Sequence, residues 1–421
     1  MDMMYFPLKR FLTSDMHVMR PWRADREIFI IAWSLIFLLA CSSDPEPQWP
    51  GATPYHFPKP DFFPTELNIP DDNPITVEGV ALGRYLFYDG RLSGRTHPDS
   101  LMACGSCHIQ SKGFECGTDK FTDGHPHGLP TENYPQGKPT PHVMLPVVNL
   151  VYNSTGYMWN GFIEETNDKT SLTGYDFTGV QNLNFKNLEA FTYLAIVAEH
   201  EINGSIEKTV NLLAHDPRYP SMFHDAFGTD EVTAGRISKA ISQFIRSIIS
   251  YRSKYHQWLR QETTLTPAEM RGYDLFFSEE ADCFHCHGNT ALLTSNLYFN
   301  NAKDSVFTDE RDRYSVTHFV WDIGAYRAPS LLNVALNAPY MHDGRFTTLD
   351  EVINFYSEEL VYSDYVHPLM KNVLAGGVHL SDEEKADLKA FLLTLTDSTL
   401  LTNPHYEAPK DLGPWTTGRQ Q

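Results

Sequence analysis

The chain is poor in cysteine and in basic side chains, and it lacks the alternation that marks β-strands. Lys and Arg number 33 against 53 Asp and Glu, so the formal net charge of the 421 residues is −20. Nucleic acids and anionic membrane surfaces bind basic faces, and the charge therefore speaks against both as partners. No segment alternates apolar and polar residues over the length of a strand, so the sequence predicts a mainly α fold.

The N-terminal segment has the pattern of an export signal. Basic residues precede an apolar run at 28–40 that ends at Cys41. This run is too short to cross a bilayer but fits the core of a signal peptide. Residues 38–41, Leu-Leu-Ala-Cys, resemble a bacterial lipoprotein signal, in which the cysteine is lipidated. We predict an exported protein on the periplasmic side with a lipid anchor at Cys41, and Ser42 favours the outer membrane. The alternative is an uncleaved helix followed by a buried cysteine.

An internal repeat organises most of the remaining chain. Residues 83–88 (Gly-Arg-Tyr-Leu-Phe-Tyr) and 272–277 (Gly-Tyr-Asp-Leu-Phe-Phe) each precede a cysteine cluster, and a Tyr-Met-x-x-Gly turn follows each cluster. Two related units are therefore predicted, an N-terminal one at 76–260 and a C-terminal one at 261–400.

The segments outside these units, and the helices within them, follow from composition and periodicity. Residues 1–40 are assigned to the signal, 41–75 to a Pro-rich tether, and 401–421 to a C-terminal tail. Helical patterns are found near 205–214, 235–259, 266–278, 348–360 and 381–396. The last two are predicted to begin after Thr347 and Ser381, and both have acidic residues in the first turn. Long loops rich in Gly, Pro and Asn fill 111–160 and 288–345.

Each unit carries one C-x-x-C-H motif, the pattern of c-type haem attachment. Two thiols bond to the vinyl groups of the porphyrin, and the adjacent histidine is held beneath the iron as an axial ligand. The attachment residues are Cys104, Cys107, His108, Cys283, Cys286 and His287. We therefore predict two covalently bound haem c cofactors and a mainly α fold of two cytochrome c-like domains, each enclosing one haem, with long loops.

Structural disulfides, zinc sites and thioredoxin-like redox motifs are the alternatives. A usual zinc site needs four nitrogen or sulfur ligands, and only Cys41 and Cys116 remain beyond the motifs. A redox motif would leave both adjacent histidines unexplained. Export agrees with haem, because c-type haem is attached on the outer side of the inner membrane.

The second axial position of each iron decides between electron transfer and binding of peroxide or oxygen. The sequence offers several side chains for this position and does not choose among them. In the second unit they are Met341, His342, Tyr356 and Met370, and in the first unit they are His125, His127 and His142.

The chain resembles the bacterial di-haem cytochrome c peroxidase family, including its MauG-like branch, over about residues 77–397. The motifs that carry the resemblance are Leu-Phe-Tyr-Asp-Gly-Arg-Leu-Ser-Gly at 86–94, Trp-Asn-Gly at 159–161, Arg-Ala-Pro-Ser-Leu-Leu-Asn at 327–333 and Ala-Pro-Tyr-Met-His-Asp-Gly-Arg at 338–345. The resemblance implies that the first haem reacts with peroxide and that the second receives electrons.

The resemblance also assigns roles to single residues. Tyr356 stands where the peroxidases have a methionine ligand to the second haem, which is the MauG-like condition; the alternative is a core aromatic. Glu201 matches the catalytic acid–base, with Glu199 as its competitor and Phe191 in place of the usual glutamine. Trp159 aligns with the tryptophan between the haems, where plain packing is the alternative.

A calcium ion and a choice of reactions are implied as well. Calcium would bind the carbonyl groups of Asn337 and Pro339, although Val143 replaces the family's asparagine ligand. The leading reaction is reduction of hydrogen peroxide to water with electrons from a small periplasmic donor of cytochrome c or cupredoxin type, which the acidic chain suits. The alternatives are a MauG-like oxidase that modifies side chains of a partner protein and a non-catalytic di-haem electron carrier.

Overall fold

Short helices joined by long loops make up the fold, and strands are almost absent from the part of the chain that the structure describes. The computed structural model describes residues 49–116, 125–153, 155–161, 188–308 and 311–417, which belong to a single compact unit. The predicted signal and Cys41 lie outside these residues. Within them, no helix has the length and apolar character needed to cross a membrane.

The regular elements confirm the predicted mainly α class. The helices are α1 Val77–Tyr88, α2 Leu188–Val197, α3 Ile206–Ala214, α4 Tyr219–Phe227, α5 Ala234–Ser247, α6 Lys254–Leu259, α7 Pro267–Phe276, α8 Phe284–His287, α9 Tyr314–Thr317, α10 Leu349–Glu358, α11 Asp382–Leu393 and α12 Ser398–Leu401. Two-residue strands, β1 Tyr298–Phe299 and β2 Tyr326–Arg327, pair antiparallel.

Side-chain caps fix where the predicted helices begin. Ser381 caps α11 as expected, and its hydroxyl and the Glu384 carboxylate form a capping box. The cap of α10 is Thr348, one residue beyond the predicted Thr347, because Thr348 accepts the Glu351 N–H at 3.2 Å. The N-terminal chemistry of these helices is therefore readable from sequence to within a residue.

The continuous helix predicted at 235–259 is wrong, because the chain forms two helices with an extended break between α5 and α6. The carboxylate of Asp397 accepts the main-chain N–H groups of Tyr251 and Arg252 at 3.0 and 2.9 Å. Ser253 then caps α6. Backbone donors that a helix would satisfy internally are thus satisfied by a distant buried carboxylate.

The sequence repeat reappears as two equivalent helix crossings. A β-carbon on Gly83 of α1 would lie 1.9 Å from the carbonyl oxygen of Ala240 in α5. A β-carbon on Gly272 of α7 would lie 2.0 Å from the carbonyl oxygen of Asp387 in α11. Only glycine permits this close approach of the two backbones, so the glycine that opens each repeat positions one helix pair.

Two main hydrophobic clusters surround these crossings and borrow segments from outside the predicted units. The first includes Tyr406 and Leu412 of the predicted tail. The second includes Phe63 of the predicted tether. The described part of the tether, from residue 49, thus packs against the body: Asn68 donates its N–H to the Val151 carbonyl oxygen at 2.7 Å. The two cytochrome c-like domains and their limits stay predictions.

Candidate functional site

Two large apolar cavities each contain one C-x-x-C-H motif. The first is lined by Cys104, Cys107 and His108. The second is lined by Cys283, Cys286 and His287. None of the four motif cysteines forms a disulfide, and each cavity has room for a bulky apolar cofactor. The structure therefore brings each predicted attachment set together around a separate cavity.

The fold around the first motif keeps the imidazole of His108 neutral and fixes the orientation of its ring. Tyr88 packs against Gly105, where a β-carbon would lie 2.4 Å from the tyrosine ring. The Nδ1 atom of His108 lies 3.0 Å from the carbonyl oxygen of Phe114. Because a carbonyl only accepts, Nδ1 carries the proton and Nε2 keeps a lone pair for a metal. Burial lowers the pKa of His108 to about 4, with the hydrogen bond opposing the shift.

The second motif repeats this arrangement on α8. His287 donates its main-chain N–H to the Cys283 carbonyl oxygen at 3.1 Å. Its Nδ1 atom lies 3.2 Å from the carbonyl oxygen of Leu293 and 3.1 Å from that of Pro329. Burial lowers the pKa of His287 to about 4 and raises those of Cys283 and Cys286 to about 12. A neutral imidazole beside two protonated thiols in an apolar cavity fits covalent haem c.

A zinc site at either motif has no support in the described ranges. There, the one set of three His, Cys, Asp or Glu side chains close enough to share an ion is Glu279, Asp282 and His285. This set contains no motif cysteine, and the ammonium group of Lys371 bonds to Glu279 at 2.5 Å beside it. The motif residues therefore lack the four nitrogen and sulfur ligands of a zinc site.

Glu201, the predicted acid–base, lines the first cavity, and its catalytic role stays a prediction. Burial, reinforced by the nearby Cys107, raises the pKa of Glu201 to about 7. Its predicted competitor Glu199 instead forms an ion pair with Lys138 at 3.0 Å and is 38% exposed. Phe191 also lines this cavity and stacks parallel to Tyr157. Of the two glutamates, the structure places only Glu201 where it can reach a ligand of the first cavity.

The candidate histidines of the first unit separate by position. His127 and His142 line the first cavity, and His125 is not among the described residues that do. His200, which the sequence did not single out for this cavity, also lines it. Burial lowers the pKa of His200 to about 4, so this imidazole is neutral and offers no charge to the cavity.

All four side chains proposed as second-haem ligands line the second cavity: Met341, His342, Tyr356 and Met370. Tyr356 projects from α10, and its hydroxyl accepts the side-chain N–H of Asn301 at 3.0 Å. Burial raises the pKa of Tyr356 well above the ordinary tyrosine value, and this hydrogen bond opposes the shift. The structure thus places Tyr356 at the cavity but does not select one of the four candidate side chains as the iron ligand.

The predicted calcium residues lie in the same cavity. Asn337 and Pro339 line it together with Val143. The Oδ1 atom of Asn337 is buried and has no hydrogen-bond partner among the described residues. Glu115, which the sequence did not suggest, also lines this cavity and is only 3% exposed. Burial raises the pKa of Glu115 well above its ordinary value.

Trp159 lines both cavities, and its place between the haems stays a prediction. Its indole N–H donates to the Val143 carbonyl oxygen at 2.8 Å. Its own carbonyl oxygen accepts the Arg327 N–H at 2.7 Å. The residues that line both cavities are Val143, Met144, Leu145, Pro146, Trp159, Arg327, Pro329 and Ser330. They form one shared wall that holds the indole in a fixed orientation.

Comparison with known proteins agrees with this architecture. The family model for di-haem cytochrome c peroxidase matches residues 77–264. The methylamine utilization protein MauG of Methylorubrum extorquens is 27% identical over 380 residues, which cover 87% of this chain and 94% of MauG. The cytochrome-c peroxidase IdrP1 of Denitromonas iodatirespirans is 28% identical over 385 residues, covering 83% of this chain and 89% of that protein.

A solved structure shares both the fold and a similar level of identity. It is described as a MauG-like protein associated with microbial copper homeostasis, and it is 29% identical with a TM-score of 0.68. The match covers 84% of this chain and 99% of the other. The chain is therefore similar, over most of its length, to the di-haem cytochrome c peroxidase family of oxidoreductases.

Proposed function

We propose that the protein reduces hydrogen peroxide to water with electrons from a small periplasmic donor of cytochrome c or cupredoxin type. Each peroxide takes up two electrons and two protons and yields two water molecules. The observation that carries the proposal is the carboxyl group of Glu201 in the cavity of His108, with a pKa of about 7. When bound, haem supplies an iron that binds peroxide and exchanges electrons.

Glu201 is the proton carrier of this proposal. Cleavage of the O–O bond requires a proton to move from the near oxygen to the far one, so one group must accept and then donate it. A carboxyl group with a pKa of about 7 serves both steps near neutral pH. The stacked rings of Tyr157 and Phe191 add apolar surface to the first cavity, which Glu201 also lines. Because apolar walls bind water poorly, fewer water molecules compete with Glu201 for the proton.

His108 and His287 would hold the two irons through Nε2, and Trp159 would carry electrons between the cavities. The proposal places electron uptake at the second cavity and peroxide at the first. Trp159 supports this arrangement because it lines both cavities and is only 9% exposed. A calcium ion is proposed at the carbonyl groups of Asn337 and Pro339. The unpaired Oδ1 of Asn337 supports it, since calcium prefers oxygen ligands.

A second candidate function is oxidation of side chains in a partner protein, as in a MauG-like enzyme. Tyr356 favours it, since a phenolate ligand would stabilise ferric iron and lower the reduction potential of the second haem. A haem of low potential accepts electrons poorly from an ordinary cytochrome c. MauG and a MauG-like protein associated with copper homeostasis are among the relatives, which supports this candidate.

The location of the protein is proposed from its first residues. Members of the family are exported to the periplasm. A lipid anchor at Cys41 in the outer membrane is our further proposal, and the residues concerned lie outside the described ranges. Replacement Cys41→Ser would then release the protein from the membrane fraction and abolish incorporation of labelled palmitate.

Two measurements on the haem-loaded protein separate the candidates. Carbon monoxide is added to the reduced protein first, and binding to neither haem would leave only the non-catalytic electron carrier. Peroxide is then added to wild type, Glu201→Gln and Glu199→Gln while the haem spectrum is followed. The proposal requires Glu201→Gln to slow the peroxide reaction and the matched surface variant Glu199→Gln to leave it unchanged.

A further inference from the structure

Three aromatic side chains besides Trp159 meet at the wall between the cavities. The rings of Tyr326 and His342 are stacked, with centroids 3.5 Å apart and planes 13° from parallel. The ring of His142 stands perpendicular to that of His342, with centroids 5.3 Å apart. It also lies edge-on to Tyr326 at 5.5 Å. We call His142, Tyr326 and His342 the ring bridge.

The ring bridge connects the two cavities by a route that does not need Trp159. His142 lines the first cavity, whereas Tyr326 and His342 line the second. The contact between the two imidazoles therefore crosses the wall between the cavities. The ring of Trp159 lies edge-on to that of His342, with centroids 6.3 Å apart. Two adjacent routes of packed rings thus join the same two cavities.

The main chain and burial hold these rings in place. His142 and His342 are each 8% exposed. The main-chain N–H of Val143, next to His142, donates to the carbonyl oxygen of His342 at 2.9 Å, which ties the two segments together. Tyr326 lies in β2, paired with Phe299 of β1. The edge-to-face and stacked arrangements are the geometries that aromatic pairs prefer, so the three rings form one packed group.

We propose that the ring bridge is a second electron path between the two haems, parallel to Trp159. One electron leaves the haem of the second cavity and arrives at the haem of the first. The three rings gain and lose no atoms, protons or net electrons. This inference rests on both cavities holding haem, and it is independent of whether the protein reduces peroxide or oxidises a partner.

The test measures electron exchange between the haems without peroxide. The haem-loaded protein is reduced by a one-electron pulse, and redistribution of the electron is followed by absorbance. The variants are Trp159→Phe, His142→Leu and the double variant, with His97→Leu as matched control because the side chain of His97 is 74% exposed. Midpoint potentials of both haems are measured in parallel, so that a change in driving force is separated from loss of a path.

Each single variant removes one path and leaves the other. We expect Trp159→Phe and His142→Leu each to slow the exchange and to keep a readily measured rate. The double variant Trp159→Phe/His142→Leu should lose nearly all of the electron exchange, while the midpoint potentials of both haems stay unchanged. If Trp159→Phe alone abolishes exchange, or if adding His142→Leu slows it no further, the ring bridge carries no electrons. Should His142→Leu fail to fold, His142→Asn tests the same contact, since it keeps a polar side chain and removes the ring.

Discussion

The Nδ1 atom of His108 donates a hydrogen bond to the carbonyl oxygen of Phe114 at 3.0 Å, six residues further along the chain. His287 stands in the same relation to Leu293, again six residues on, at 3.2 Å. The loop after each motif thus orients the histidine that the motif supplies. Each repeat therefore provides attachment residues and the acceptor that aims the imidazole.

Removal of one motif should remove one haem and leave the other. The double variant Cys283→Ser/Cys286→Ser is expected to contain half the covalent haem of wild type, because its cavity keeps His287 but has no thiol to bond. Haem content is measured by the pyridine haemochrome method after denaturing electrophoresis. Cys116→Ser is the control, since Cys116 is buried outside both cavity linings. Equal covalent haem in Cys283→Ser/Cys286→Ser and in Cys116→Ser would show that the second motif attaches no haem.

The peroxide reaction should depend on pH through Glu201. The pKa of Glu201 is raised to about 7, so the carboxyl group is protonated below that pH and cannot accept the first proton. The rate of the peroxide reaction is therefore expected to rise as the pH increases through about 7. Stopped-flow rates between pH 5 and 9 (a range of about two units on each side) measure this. Glu201→Gln should abolish the pH dependence of this rate. If Glu201→Gln keeps the wild-type pH profile, Glu201 is not the group that accepts the proton.

Replacement of Tyr356 should change the second haem and leave the first unaltered. Tyr356→Met is expected to raise the midpoint potential of the second haem, because a thioether favours ferrous iron relative to a phenolate. A redox titration followed by absorbance and electron paramagnetic resonance measures both haems. Tyr340→Phe is the matched control, since Tyr340 lines the same cavity but donates its hydroxyl proton to the Val334 carbonyl oxygen. An unchanged spectrum in Tyr356→Met would show that Tyr356 does not bind iron.

The ion pair behind the first cavity should be important for stability. Arg246 is fully buried and bonds to Glu189, with Nε also donating to the Asn68 carbonyl oxygen. Arg246→Met leaves a buried carboxylate unpaired and is expected to cost about 3–5 kcal/mol of unfolding free energy. Lys254→Met breaks a partly exposed pair with Glu269 and should cost at most about 1 kcal/mol. Urea unfolding of the two holoproteins gives the comparison, and equal losses would contradict this assignment.

Local signals made much of the structure predictable. The C-x-x-C-H spacing carries its chemistry within five residues, and the cap at Ser381 acts over three. The resemblance supplied Glu201, Tyr356 and Trp159, all of which line the predicted cavities. These features need only short stretches of chain or motifs that keep their order.

Long-range contacts account for what the sequence did not show. The break between α5 and α6 depends on Asp397, which is more than a hundred residues away, so periodicity alone extended the helix. Glu115 follows the first motif but lines the second cavity. Tyr326 lies in a two-residue strand, too short to give a pattern, and meets His142 and His342 from other loops. Contacts between residues so far apart in the chain leave no pattern in the local sequence.

The most direct test of the proposed function is peroxide-dependent oxidation of a reduced small cytochrome c by the haem-loaded protein. We expect many turnovers, two donor molecules oxidised per peroxide, and a rate lower by about 10²- to 10⁴-fold in Glu201→Gln. A haem spectrum that changes with peroxide while the donor stays reduced would contradict peroxide reduction and favour oxidation of a partner protein. A haem spectrum that does not respond to peroxide at all would contradict both.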